Sequence, residues 1–309
     1  NAFYYSEIEM RPAAIKNSIK YLVLHKENIY SPIENEILLF IYKKLNAKFD
    51  GSKLLVYSEN EKKLFLKSNL VNKNKISVVG IPRTDGPISF KKKAPKNKIL
   101  YFLIEENRGL PSYLLNIINR TNKLPTNILK KIKKFSKEKN YWKKMSEHTE
   151  KYLIKFAKKN PKFQIIFKGK VGVHEHKFQN ILLPDNIKLI KSGTGEKYLK
   201  DCKIVIAFNT TAMFEAIAAG RELIIPNYSY NKKKFEKSFL INMHKKYLAN
   251  NLRNLDNKIK KAIRQKYVYR KYSPYEKKIL DYYIGNFQKN ASKKLIKNIK
   301  ELLSKDGSN

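Results

Sequence analysis

The sequence predicts an α/β protein built on parallel, doubly wound sheets. The stretch Lys203–Tyr228 reads as strand, helix, strand, and short β-branched runs alternate with amphipathic helical segments along most of the chain. Polar loops such as Glu105–Pro111 and Lys168-Gly169-Lys170 follow the carboxyl ends of expected strands. In open α/β sheets that edge is where ligands bind.

In the central stretch, Ile204–Phe208 has the length and composition of a buried parallel strand. Asn209, Thr210 and Thr211 follow at once, and such residues cap helix starts by accepting from orphan N–H groups. The helix runs Ala212–Ala219 and stops at Gly220, and a second strand, Glu222–Ile225, closes at Pro226. A helix start at a strand's carboxyl end offers N–H groups and partial positive charge to an anion such as a diphosphate. Glu215 lies one turn into this helix among Phe214, Ala216, Ile217 and Ala218. A buried carboxylate needs a partner, and ribose hydroxyls would serve. The alternative is a Glu on the exposed stripe of an ordinary sheet-covering helix.

Upstream, Tyr21–Leu24, Leu54–Tyr57 and Ile76–Val79 read as strands, with helices at Ile33–Leu45 and Glu59–Ser68. Ser58 and Glu59 read as a structural helix start. So few strands suggest a first domain that lacks its opening ones, in keeping with a chain that begins at Asn1 without Met. Gly86-Pro87, Lys91–Lys93 and Pro95 have the composition of an interdomain connection. The second domain then predicts strands at Ile99–Ile104, Phe163–Phe167, Ile187–Ile190, Ile204–Ala207 and Leu223–Ile225, and helices at Ser112–Thr121, Asn127–Lys137 and Tyr141–Lys159. Beyond Tyr230 the pattern is helical only, ending in Ala291–Leu303 with Leu295, Ile296, Ile299, Leu302 and Leu303 on one face. The domains expected are therefore 1–87, 88–285 and a final helix, 286–309, that returns to the first.

Lys and Arg number 66 against 26 Asp and Glu, a formal charge of +40. Such an excess suits nucleic acid or an anionic membrane surface. It is nearly all Lys, however, spread along an Asn- and Ile-rich chain, as in a protein from an AT-rich genome. Arg, which recognises phosphates and bases bidentately, is scarce, so no specific nucleic acid is expected. Peripheral contact with anionic headgroups stays open. Cys202 is the one cysteine, so no intrachain disulfide forms, and no Cys/His metal spacing occurs. A reducing, cytoplasmic setting is the expectation, with peripheral placement at the inner face of the cytoplasmic membrane left open. No apolar run approaches the ~18 residues of a membrane span, and no signal peptide is visible.

The segment NTTAMFEAIAAGRELIIP resembles the nucleotide-binding segment of GT-B glycosyltransferases of bacterial surface-carbohydrate biosynthesis, and VVGIPRTDGP resembles the segment that closes their first domain. The resemblance implies two Rossmann-like domains facing a cleft. It implies a transferase that moves a sugar from a nucleotide-diphosphate sugar to a glycan or lipid-linked acceptor, with no cofactor besides the donor. By the same resemblance Asn209, Thr210 and Thr211 would hold the donor diphosphate and Glu215 the ribose. Many retaining members carry a second Glu eight positions earlier; here Ala207 stands there, which favours an inverting reaction. Helix-start N–H groups and a Lys would stabilise the leaving diphosphate, so a metal-independent transfer is expected.

Lys168 and Lys170 fall on the same rim as Asn209 and would neutralise departing phosphate, although any loop of so lysine-rich a chain contains a Lys. Thr194 and Gly195, after Ile187–Ile190, would border the base. His174, Glu175 and His176 lack the helical spacing of a zinc pair and read as a solvated loop. An inverting transfer needs a base for the acceptor hydroxyl. Glu27, after the strand Tyr21–Leu24, is the first candidate and His25 the second; an exposed polar loop is the competing reading. Two further functions stay open: a same-fold sugar-nucleotide epimerase or glycerol-phosphate transferase, and a non-catalytic basic protein.

Overall fold

A computed structural model describes residues 10–25, 29–30, 32–44, 46, 48–105, 126, 139–170, 172–174, 176–228, 243 and 245–304. The chain divides into two compact units, one of Asn1–Phe90 with Arg270–Asn309, the other of Lys91–Tyr269.

In the first unit α1 (Met10–Lys16) precedes β1 (Leu22–Leu24), α2 (Pro32–Lys44), β2 (Lys53–Val56), α3 (Glu59–Lys67), β3 (Ile76–Val78) and α4 (Asp85–Phe90). The three strands pair in parallel in the order β1-β2-β3. Leu54, Leu55 and Val56 are buried on both faces of the sheet, which is why this strand reads as a continuous apolar run. Ser58 caps α3 by accepting from the N–H of Glu61, as its position before the helix predicts. Residues 82–90 form a 3₁₀ turn and a short helix rather than an open connection.

The chain later re-enters this unit with α9 (Pro274–Ile284) and α10 (Ala291–Ser304). The sequence boundary at 285 would leave α9 in the second domain. Its backbone instead joins the first unit, where the N–H of Ile81 donates to the carbonyl of Ile284 at 2.9 Å. Ser273 and Glu276 form a reciprocal capping box at the start of α9, and Gly285 ends it at φ 59°. A Cβ on Gly285 would stand 2.0 Å from the carbonyl oxygen of Tyr57, so only glycine admits this approach. The Asp85 carboxylate then accepts from the N–H groups of Ala291 and Ser292 at 3.2 and 3.0 Å, capping α10.

The second unit runs β4 (Lys96–Phe102), α5 (Lys139–Lys159), β5 (Gln164–Lys168), β6 (Ile187–Ile190), α6 (Glu196–Leu199), β7 (Cys202–Ile206), α7 (Ala212–Ala218), β8 (Glu222–Pro226), β9 (Leu248–Ala249) and α8 (Leu252–Arg264). The helices expected at Ser112–Thr121 and Asn127–Lys137 lie outside the described residues. All pairings are parallel, and the order is β6-β5-β4-β7-β8-β9. Numbered from β4, that is 3-2-1-4-5-6, the order of dinucleotide-binding sheets. This unit is Rossmann-like. The strand β9 corrects the expectation of helices alone beyond Tyr230: it pairs Leu248 with Ile225 and Ala249 with Pro226, and two residues carry no periodicity for a sequence to show.

The core lies on both sides of this sheet. Ile204, Val205, Ile206 and Ala207 are fully buried, as are Ile224 and Ile225. Cys202 is buried with them, and burial pushes its thiol up to about 12, so it behaves as a small apolar side chain. Arg221, 4% exposed, ties the amino edge of the sheet together by donating to the carbonyls of Leu199, Lys200 and Lys93.

Candidate functional site

The strand order reverses between β4 and β7, so the crevice of such a sheet opens beyond their carboxyl ends. Asn209 stands at that point. It follows β7 in the left-handed region at φ 51°, a conformation Asn tolerates better than most residues. Its Oδ1 is buried with no hydrogen-bond partner among the described residues. The capping expected of Asn209, Thr210 and Thr211 takes another form. Thr211 is the residue before α7, in helical conformation and with no side-chain cap bond. Its carbonyl and that of Thr210 close the first turn by accepting from Phe214, Glu215 and Met213. Glu215 lies in the first turn of α7 and is 4% exposed, so it is a buried carboxylate and not one on a solvated stripe.

Lys168 is the last residue of β5, in register with Phe102 of β4 and Ile190 of β6. Register partners share a face, so Lys168 projects on the side of the sheet that carries Phe102. It is 6% exposed, with Nζ donating to the carbonyl of Gly169 at 2.5 Å. Burial holds its ammonium below the ordinary lysine value, and the like charge of Lys197 adds to the effect. Gly195 packs on the same face: a Cβ there would meet Phe102 Cε1 at 2.4 Å. Gly195 precedes α6, whose Lys197 supplies the second cation, and Thr194 is exposed beside it. Lys168, Thr194, Gly195 and Lys197 therefore come to one edge. Asn209 lies two strands away along it, on the order of 10 Å at ordinary strand spacing. Lys197 escaped the sequence reading because nothing sets it apart from the other lysines.

Lys170 is exposed and reaches Glu105, at the end of β4, at 3.5 Å. His174 corrects the reading of a solvated loop. It is 5% exposed, its Nδ1 accepts from the N–H of Lys170 at 3.1 Å, and its Nε2 lies 3.4 Å from the carbonyl of Ile104. Those partners assign the Nε2–H tautomer, a neutral imidazole that pins the loop after β5 to the end of β4. On the opposite sheet face, Glu150 of α5 takes Ser146 Oγ at 2.7 Å, Tyr101 hydroxyl at 3.3 Å and Lys177 Nζ at 2.7 Å. This network fixes α5 against β4, and burial with the Glu150 charge raises the Tyr101 phenol well above its ordinary range.

In the first unit, Glu27 lies outside the described residues. His25 directly follows β1, is 6% exposed, and places Nδ1 2.8 Å from Glu61 Oε1. The other oxygen of Glu61 accepts the N–H of Tyr57 at 2.8 Å, so the carboxylate is held from two sides. His25 also packs edge-on against Phe65. Glu61 was legible: Ser58-Glu59-Asn60-Glu61 has the Ser-x-x-Glu pattern of a capping box. Its side chain reaches Tyr57 and His25 in place of the cap.

Among the described residues no group of three or more His, Cys, Asp or Glu side chains is arranged to hold a metal ion, and no helix is long and apolar enough to cross a membrane. No family model matches the chain. No curated protein matches it either. Among solved structures it is similar to the UDP-GlcNAc 2-epimerase from Methanocaldococcus jannaschii, at 14% identity and a TM-score of 0.43, over 96% of this chain and 80% of that one.

Proposed function

We propose that the protein is a GT-B-type glycosyltransferase that moves a sugar from a nucleotide-diphosphate donor to a surface-glycan or lipid-linked acceptor. The observation that carries the proposal is Asn209 at the strand-order reversal, with its buried Oδ1 unpartnered among the described residues, on the same sheet edge as the buried ammonium of Lys168. Donor phosphates take the Asn209–Thr211 segment and Lys168, the ribose takes Glu215, and the base borders Thr194 and Gly195. As the sugar–phosphate bond breaks, charge collects on the departing diphosphate, and a fixed ammonium in a poorly hydrated site stabilises it more than water does. Lys170 adds an exposed cation at the rim.

Inversion requires one displacement: the acceptor oxygen bonds to the anomeric carbon, the nucleotide diphosphate leaves, and a base takes the hydroxyl proton. Of the two candidate bases, His25 has a ring held by a carboxylate. Glu61 orients the ring by accepting from Nδ1–H, which leaves Nε2 to receive the proton. Glu27 is the alternative base.

The test is a thermal-shift screen of nucleotides and nucleotide sugars, since a ligand present at a hundred times its dissociation constant stabilises by about 2.7 kcal/mol. The donor so found is then supplied with a radiolabelled sugar. Label in a glycan or lipid product supports the transferase. Label recovered as an epimerised nucleotide sugar, or transfer of glycerol phosphate in place of a sugar, assigns a different reaction to the same fold.

A further inference from the structure

We propose that α10 is a docking surface for an anionic lipid bilayer, a role independent of the reaction carried out elsewhere in the chain. The helix is fixed at its start, where Ala291 is buried and Asp85 caps the N–H groups of Ala291 and Ser292. Its rotation about its own axis is thereby set. At 100° per residue, Ala291, Leu295 and Leu302 fall on the inward side. The rest of the apolar arc is left outside: Ile296 is 53% exposed, Ile299 40% and Leu303 66%. These residues, spaced three and four apart, form one continuous stripe.

Beside that stripe runs a second one of Lys293, Lys297 and Lys300, all exposed. Lys293, Lys297 and Lys300 border a shallow groove of about 430 Å³ whose lining also includes Ile296, Glu301 and Ser304. The nearby acid, Glu301, is 3.7 Å from Lys297 and faces it across one helical turn. An aliphatic stripe flanked by lysines is the pattern of a helix that lies in a membrane interface. With 14 residues, α10 is too short to cross a bilayer, which takes about 20.

The two stripes together select the partner. Nucleic acid would engage the lysines but has no use for three exposed aliphatic side chains, and α10 carries no Arg and no aromatic ring on which a base could stack. A second copy of the helix would cover the aliphatic stripe but set lysine rows against each other. A bilayer containing acidic phospholipid accepts both, with the apolar side chains at the acyl boundary and the ammonium groups among phosphates. The formal charge of +40 favours approach to the same surface.

The experiment is co-sedimentation of the full chain with vesicles of phosphatidylcholine, with and without about a third phosphatidylglycerol. It compares the native chain, the pair Ile296→Ser with Leu303→Ser, and the triple variant Lys293→Gln, Lys297→Gln, Lys300→Gln. All five positions are exposed, so the melting temperatures should match and report intact folding. The native chain should bind the acidic vesicles and not the neutral ones. The triple variant should bind about 100-fold more weakly, at about fivefold per lysine near a charged surface, and the serine pair at least about tenfold more weakly. Equal binding by native chain and serine pair would overturn the proposal, because lysines anywhere on the surface would then suffice. So would binding to neutral vesicles alone, dimerisation that the serine pair abolishes, or binding confined to oligonucleotides.

Discussion

Oε1 of Glu61 lies 2.8 Å from Nδ1 of His25 while its Oε2 accepts the N–H of Tyr57, also at 2.8 Å. One carboxylate thus orients a ring at the end of β1 and closes the turn into α3. The two roles separate by substitution. Glu61→Gln keeps the size and an acceptor oxygen, and should fold with little loss while transfer falls by about 10²–10⁴, the contribution of a positioned base. Glu61→Ala should in addition cost about 2–3 kcal/mol by denaturant unfolding, from buried groups left without their acceptor. Equal transfer by native chain and Glu61→Gln would remove His25 from the chemistry.

Asp85 joins two parts of the sequence that no local pattern connects. Hydrogen bonds from Ser292, Asn286 and Ala291 outweigh the effect of its partial burial and hold its carboxyl below the usual carboxylate value. A depressed folded-state pKa gives stability that is present above the unfolded value of 3.8 and lost as pH falls through the lower folded value. Asp85→Ala should therefore cost about 1–2 kcal/mol at neutral pH, as a lost helix cap does. The difference from the native chain should close in strong acid. Circular dichroism melts at several pH values measure both.

Gly285→Ala should be among the most disruptive single-methyl changes in the first unit. The residue is at φ 59°, and its Cβ would collide with the Tyr57 carbonyl oxygen at 2.0 Å. Left-handed strain and overpacking together should cost about 3 kcal/mol or more. Gly172→Ala, at φ 74° with nothing near its Cβ, should show the strain alone, about 1 kcal/mol. Urea unfolding of the two variants separates the effects.

Lys168 predicts a pH dependence of the same sign as that of Asp85, in an alkaline window instead of an acid one. Its folded-state value lies below the ordinary 10.5 through burial and then the charge of Lys197. Between the two values the unfolded chain binds more protons than the folded one, so this group makes stability rise with pH through that alkaline window. Subtracting the stability curve of Lys168→Met from that of the native chain isolates this rise from the other lysines. A flat difference curve would place Lys168 in a more hydrated setting.

Most of the fold was legible because parallel strands buried on both faces stand out as short apolar runs. Leu54–Tyr57 and Ile204–Phe208 needed no tertiary knowledge, and the parallel topology followed from their alternation with helices. The two-residue β9 was not legible, since it owes its existence to pairing with β8. The candidate site was read from strand ends: Lys168, Gly195 and Asn209 lie where β5, β6 and β7 stop or shortly beyond. Bonds that span the chain were hidden. His174 to Ile104, His25 to Glu61 and Asp85 to Ala291 each join residues whose proximity is set by the finished fold.

The proposed donor site is tested most directly by calorimetric titration of the full chain with the donor found in the thermal screen, set beside Asn209→Ala and Glu215→Ala. Saturable binding by the native chain, weakened about tenfold or more in each variant through loss of a hydrogen bond to a charged or buried group, is the expected result. Affinity unchanged in both variants would contradict the assignment of the β7–α7 segment as the donor site.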